Sequence, residues 1–422
     1  MSPSAQPAPA EQAGFHPGHS PWTVALTVTL ATFMEVLDTS IANVALPHIA
    51  GGLSATPDES TWTLTSYLVS NAVVLPISGW LATRVGRKRF YMTCVALFTV
   101  SSFLCGVAPT LGWLIFFRVL QGAGGGGLAP SEQSILADTF EPSRRGMAFS
   151  VYGMAVVLAP AIGPTLGGYI TDHVSWRWIF FLNVPVGMVS LLLTSRVVQD
   201  PPWLTTAEKR RVPIDFVGLS LIATGLAALQ VVLDKGQEDD WFASSFISGF
   251  ACYAAVALIV FVVWELRQPQ PIVDLRMFRV RAFAASNLLI FVLGAVLFST
   301  TVLLPQFLQL FMGYTAQQAG LVLSPGAAAI ILCLPLVGVL VSRVQARWLI
   351  VIGFVITSFA MWNMTNLSLE ISMRTAVIWR IYQAAGLAFL FIPINTVAYV
   401  GVPREKNNEV SGMMNLSRNL GG

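Results

Sequence analysis

The sequence predicts an all-α polytopic membrane protein, with two six-helix halves joined by two additional helices. Three observations predict it. Of 422 residues, 55% are hydrophobic and only 11% are charged, where a soluble domain carries roughly 25% charge. Apolar runs long enough to cross a bilayer, about 20 residues each, recur twelve times along the chain. The last four runs also repeat the first four.

The first 21 residues are rich in Pro, Ala and Gly and lack Lys and Arg. They read as a disordered tail, since a signal peptide needs a basic start. The first six runs lie near residues 23–46, 61–83, 90–109, 111–137, 147–171 and 179–198, giving an N-terminal bundle over 22–199. Two further runs near 214–233 and 244–264 sit in a linker spanning 200–282. Four more, near 283–310, 317–341, 348–368 and 375–400, open a C-terminal bundle over 283–422.

Alternate loops hold nineteen of the 24 Lys and Arg residues, the last three of them (Arg404, Lys406 and Arg418) in the segment after residue 400. Cytoplasmic loops carry the basic excess, so the N-terminus is expected in the cytoplasm. Trp62, Trp113, Trp176 and Trp178 fall at span ends and read as interfacial anchors.

The repeat is visible in two places. Gly79-Trp-Leu-Ala-Thr-Arg84-Val closes span two, and Gly338-Val-Leu-Val-Ser-Arg343-Val closes span ten. Arg118-Val-Leu-Gln121-Gly-Ala-Gly lies in span four, and Arg380-Ile-Tyr-Gln383-Ala-Ala-Gly in span twelve. The offsets are 259 and 262 residues. Parallel repeats around a midplane cavity are a transporter device. On this register residues 409–422 match the start of span five. The expectation is therefore a fourteen-span protein whose second half is incomplete in this sequence.

The chemistry resides in charges placed inside spans. An ionisable group there costs about 2.5–3.5 kcal/mol on insertion scales and needs a partner or a wet cavity. Glu35 and Asp38 share one face of span one, and Asp38 and Arg118 fall at similar depth at 1.5 Å per residue. A buried carboxylate that can trade its arginine for a proton is the minimal machinery of proton coupling. Glu35 reads as a second proton site, a counter-charge for a cationic substrate, or a structurally paired group. Glu132 reads as helix-end packing, vestibule lining or a further proton site. Asp138 is expected to pair with the basic loop. Asn43, Tyr67, Asn71, Gln121, Gln306, Gln309, Tyr382 and Gln383 are the polar residues available to a substrate path, though interhelical hydrogen bonding explains each equally well.

Gly122–Gly127 lacks the Gly-Lys-Ser/Thr of a phosphate loop, so energy is expected from an ion or substrate gradient, with no cofactor. These glycines instead allow close helix approach. Pro160, Gly163, Pro164, Gly167 and Gly168 combine helix breaks with small residues and suit a gate. The four cysteines and four histidines show no metal or disulfide spacing. The net charge of +3 does not mark a nucleic-acid binder. No catalytic cluster suggests a membrane-embedded enzyme. A receptor or scaffold would not need Glu35, Asp38, Arg118 and Arg380 inside spans, while an inactive fragment stays open as an alternative.

Several stretches together resemble a known family. Leu37-Asp38-Thr-Ser-Ile-Ala-Asn43-Val-Ala-Leu-Pro47 is similar to its span-one signature. Gly79 through Arg89, including Arg84, Gly86 and Arg87, resembles its loop signature. Arg118, Gln121 and Gly122 resemble that of span four, and Gly163-Pro164 with Gly167-Gly168 that of span five. Trp176-Arg-Trp-Ile-Phe-Phe-Leu-Asn183-Val-Pro-Val-Gly187 resembles the start of span six. The family is the major facilitator superfamily, and within it the fourteen-span drug:proton antiporters of the EmrB/QacA type. The resemblance implies multidrug efflux of amphipathic, often cationic compounds across a bacterial inner membrane by alternating access. It implies that Asp38 and Arg118 take part in coupling and that Arg87 and Asp138 stabilise the outward-facing state. In Gram-negative relatives it implies a periplasmic adaptor and an outer-membrane channel. An exporter dedicated to one metabolite or siderophore is the alternative. One departure stands out: Thr83 replaces the usual Asp, which removes one charge from the expected latch.

Overall fold

The computed structural model describes residues 18–201, 215–314 and 316–422. Residues 1–17 of the expected tail, with His16, and the basic stretch 202–214 lie outside the described residues.

The described residues are helical almost throughout, because a backbone in lipid must satisfy its own hydrogen bonds. The N-terminal half comprises α1 (Pro21–Gly52), α2 (Pro57–Val85), α3 (Arg87–Gly106), α4 (Leu111–Gly125), α5 (Leu128–Thr139), α6 (Arg145–His173), α7 (Trp178–Phe181) and α8 (Asn183–Val197). Then follow α9 (Phe216–Lys235) and α10 (Ser245–Arg267). The C-terminal half comprises α11 (Arg281–Leu310), α12 (Ala316–Leu340), α13 (Ala346–Met364), α14 (Met373–Ala398) and α15 (Asn407–Gly421).

Eleven helical spans among the described residues are long and apolar enough to cross a membrane. The fourth expected run is not one of them, because it is split into α4 and α5. The break falls at Gly126 and Gly127, where a run of glycines has high backbone entropy and no side chain to hold the helix. Elsewhere helices continue through proline. Helix α6 is unbroken across Pro160 and Pro164, and α12 across Pro325 and Pro335. Starts are capped where the sequence permits: Thr56 and Glu59 form a reciprocal capping box on α2.

Within the N-terminal half, α1 packs on α6 and α8, and α4 on α2 and α3. Within the other half, α14 is the common partner of α11, α12 and α13. The halves meet through α2–α15, α5–α15, α6–α12 and α6–α14. The pair α9–α10 lies against α2, and its apolar residues Ile222, Leu226 and Phe261 share a core with Leu75 and Leu416. It therefore covers the α2–α15 seam.

The apolar cores divide in an informative way. At the end carrying the basic loops, residues of both halves form one core, with Phe149 stacked on Tyr399 and Tyr152 on Phe391. At the opposite end the halves have separate cores, one around Ile41, Leu114 and Phe180, the other around Leu304, Leu308 and Val322. The bundle is sealed at the basic-loop end and parted at the other.

The seal depends on small residues. A Cβ on Gly412 would lie 2.7 Å from the Leu75 carbonyl oxygen, and one on Gly79 would lie 2.8 Å from the Glu409 nitrogen. Gly412→Val is expected to cost ~1–3 kcal/mol through overpacking and to lower the unfolding temperature of the purified protein. Gly168→Ala, where nothing lies within 4 Å, should leave that temperature unchanged in the same thermal scan.

Candidate functional site

The site grows from α1 and α4, which place one charge each at mid-height of the N-terminal half. Asp38 is 2% exposed and Arg118 is fully buried. Arg118 Nη1 donates to Asp38 Oδ2 at 2.6 Å and to Gln121 Oε1 at 2.7 Å. Its Nε donates to the Thr63 carbonyl at 3.0 Å. The other carboxylate oxygen, Oδ1, accepts from Gln121 Nε2 at 3.0 Å and from Asn183 Nδ2 at 2.6 Å. The guanidinium also lies over the Tyr67 ring, 4.4 Å from its centroid, a favourable cation–π placement. Arg118 Nη2 is buried without a hydrogen-bond partner among the described residues. Removing one partner of such a pair strands the other charge in a medium that cannot solvate it.

Sequence reasoning joined Asp38 to Arg118 but missed Asn183 as a partner of the carboxylate. Asn183 opens α8 and also donates to Ser102 at 2.9 Å. Its signal was present in the stretch that starts span six, where a single amide stands among apolar and aromatic residues.

Glu35 lies one turn from Asp38, and its Oε1 accepts from Tyr67 Oη at 3.0 Å and Asn71 Nδ2 at 3.2 Å. Tyr67 thus faces both carboxylates' surroundings. Glu132 on α5 is fully buried, with Oε1 accepting from Thr29 at 2.6 Å and Oε2 unpartnered among the described residues. Thr29, Glu35 and Asp38 all belong to α1, so three carboxylates line that helix from the sealed end toward the parted end. Gly163 and Gly167 admit α1 against α6: a Cβ on either would press on Ser40 or Ile41.

At the sealed end Arg87 forms a buried ion pair with Asp138. Thr83, in place of the usual Asp, bonds back to its own helix at Gly79. The cross-half contact comes instead from Asn407 Nδ2, which donates to Asp138 Oδ1 at 2.6 Å. Ser411 meets Ser134 at 2.8 Å, and Asn415 donates to Gln133 at 3.0 Å. Asn407, Ser411 and Asn415 are spaced four apart and form one polar stripe on α15 against α5. That periodicity was readable but went unused. Arg84 lies 5.5 Å from the Trp80 ring centroid, and Gly86 adopts φ +96°, which only glycine takes readily.

Other expected residues fall elsewhere. Asn43, Gln306 and Gln309 are exposed on their helices. Tyr382 is 45% exposed and packs edge-on to Phe359. Gln383 is buried beside Arg380. Two readings need correction. Trp176 is 7% exposed and packs in the core against Phe180, so it is not an interfacial anchor. Arg418, read as a loop cation, lies within α15 and donates to Tyr152 Oη at 3.0 Å. Among the described residues no His, Cys, Asp and Glu cluster could hold a metal.

The sequence profile of the Major Facilitator Superfamily matches residues 28–422. The multidrug export protein EmrB of Haemophilus influenzae is 39% identical over 94% of this chain and 77% of its own length. The fatty acid resistance protein FarB of Neisseria gonorrhoeae is 38% identical over the same shares. Among solved structures, the proton:xylose symporter XylE superposes with TM-score 0.69 at 14% identity, covering 95% of this chain and 86% of XylE. The human organic anion transporter MFSD10 superposes with TM-score 0.66 at 13% identity, covering 96% and 91%. These two likenesses concern the fold.

Arg118→Leu is expected to destabilise the protein by about 3–5 kcal/mol, because Asp38 is left buried and unpaired. Arg118→Leu combined with Asp38→Leu should recover part of that loss in a chemical-denaturation series.

Proposed function

Because the chain belongs to the Major Facilitator Superfamily, and is a transporter and not an enzyme, we propose that it couples inward proton movement to export of amphipathic, often cationic compounds by alternating access. The observation that carries this reading is the buried Asp38 carboxylate. It is held by one cation and two amides, so protonation would release Arg118 and shift its hydrogen bonds. Charge-assisted bonds in a dry site are strong, which makes their exchange an effective switch.

In this reading the three carboxylates on and beside α1 give protons and cationic substrates a shared, competing set of sites. Glu35 is the substrate-facing member, with Tyr67 and Asn71. Glu132 serves the proton nearer the sealed end. Gln121 orders the Asp38–Arg118 pair, while Asn43, Gln306, Gln309, Tyr382 and Gln383 remain candidate contacts along the path. The stripe on α15 is the latch of the closed end, with Arg87 and Asp138 as its base. Gly79, Arg84 and Gly86 shape that latch, and Pro160, Gly163, Pro164, Gly167 and Gly168 let α6 bend past α1.

The basic loops support an N-terminus and a sealed end on the cytoplasmic side of a bacterial inner membrane. The parted end then faces outward, where a periplasmic adaptor and outer-membrane channel would receive substrate in a two-membrane cell. The export names of the relatives support the substrate class.

Proteoliposome efflux of a cationic dye under an imposed pH gradient tests coupling. Wild-type export should follow the proton gradient uphill, and Asp38→Asn should abolish gradient-driven export while dye binding persists. Gradient-driven export that survives in Asp38→Asn moves the coupling site elsewhere. Ser134→Cys with Ser411→Cys, oxidised to a disulfide, should stop export, and reduction should restore it.

A further inference from the structure

The C-terminal half contains a copy of the Asp38 clamp that lacks its carboxylate. The offset of 262 residues that carries Arg118 onto Arg380 carries Gln121 onto Gln383 and Asp38 onto Thr300. The donors are the same and point to the same place. Arg380 Nη1 bonds Thr300 Oγ1 at 3.1 Å and Gln383 Oε1 at 2.6 Å. Gln383 Nε2 bonds Thr300 Oγ1 at 2.5 Å. In the N-terminal half, the equivalent arginine and glutamine each donate to one oxygen of a carboxylate. Here both converge on a single neutral hydroxyl.

The result, among the described residues, is a cation without a counter-charge. Arg380 is 7% exposed, and no described carboxylate lies within ion-pair reach of it. Its Nε has no hydrogen-bond partner among the described residues, and Nη2 reaches only Thr301 at 3.5 Å. A buried arginine is retained at a cost unless something pairs with it. The surroundings also make room for it: a Cβ on Gly326 would stand 2.8 Å from Arg380 Cγ. Arg380 is the eighth residue of α14, counted from the end at which the halves part. Just beyond it lies a cluster of buried apolar side chains that includes Leu304, Val322 and Ala376.

We propose that Arg380, Gln383, Thr300 and Thr301 form an anion subsite that takes the carboxylate of an amphiphilic monocarboxylate, its chain lying among the apolar residues beyond. A carboxylate suits the donors because the N-terminal clamp already shows one seated on the same two side chains. This subsite deepens the export reading and rests on it for its role in transport, but not for binding itself. The protein would then have two headgroup ends: carboxylates on the α1 side for cations, and Arg380 in the other half for anions.

Equilibrium binding of radiolabelled decanoate to the purified full-length chain tests the assignment directly. Wild type should bind decanoate, and Arg380→Gln should weaken that binding at least tenfold. Thr300→Asp recreates the internal pair of the other half, so it should fold and yet exclude decanoate to a similar degree. Both variants should bind decyltrimethylammonium as wild type does and still export a cationic dye. Absence of decanoate binding to wild type, or binding that survives Thr300→Asp, overturns the subsite. So does displacement of decanoate by equimolar chloride, which would mark a small-anion site only. If cationic dye export is intact in any of these cases, the export reading stands while the subsite falls. If export is absent but decanoate binding follows the expected pattern, the reverse holds.

Discussion

The Asp38–Arg118 pair is the constraint on which the arrangement of the N-terminal half depends. Neither charge can be buried alone, and neither can reach water from mid-height of the bundle. Their mutual satisfaction needs α1 and α4 at a fixed depth, α2 to offer the Thr63 carbonyl and the Tyr67 ring, and α8 to bring Asn183. Four helices are thus positioned by one ion pair and its amides. The glycines of α4 serve the same end: a Cβ on Gly124 would stand 2.7 Å from the backbone nitrogen of Phe98 on α3. Close approach allows the polar side chains to meet without gaps that would strand them.

The two halves then differ in what they carry on a shared frame. Helices α11 to α14 repeat the placement of α1 to α4, and Arg380 with Gln383 repeats Arg118 with Gln121. The difference is Thr300 where Asp38 stands. A fixed internal carboxylate makes the N-terminal clamp self-sufficient, and in the proposed reading what changes there is its proton. The C-terminal clamp keeps its cation and its amide without an internal anion among the described residues, and under the proposed subsite what changes there is what binds. On that proposal a duplicated scaffold separates coupling from recognition with a single residue type.

Much of this was legible in the sequence, for physical reasons. Apolar runs bounded by basic loops fix helices because the bilayer leaves the backbone no alternative. Charges inside those runs stand out because they are costly. The fourth span reads as continuous, since apolar residues and glycines outnumber its few polar ones, and only the tertiary packing of its glycines shows where it breaks. Asn183, Ser411 and Asn415 did not stand out, because neutral polar residues in a helix are common and gain meaning only from what faces them. Trp176 was misplaced because a tryptophan at a span end suits an interface and a core equally well. Arg418 was counted with the loop cations because the helix that carries it is short and polar. The substrate-path residues were chosen by polarity alone, which cannot tell an inward-facing helix side from an outward one. That is why Asn43 and Gln309 are exposed while Gln121 is buried.

The seal between the halves combines a shared apolar core with a polar stripe, and in the proposed alternating-access reading the stripe is the part that eases opening. An apolar seam would gain roughly 25 cal/mol for each Å² removed from water, and opening it would expose all of that area at once. Beside that apolar area, the α5–α15 stripe exchanges protein hydrogen bonds for bonds to water, each worth only about 0.5–1.5 kcal/mol net. Asn407, Ser411 and Asn415 can each be re-satisfied by solvent when the end opens. Around them, Gly79 and Gly412 set α2 and α15 at a spacing that larger side chains would prevent. A ligand or proton can shift an equilibrium only by its differential affinity for the two states. In the proposed reading, the stripe is the part of the seam whose exchange a proton on the buried Asp38 carboxylate would bias.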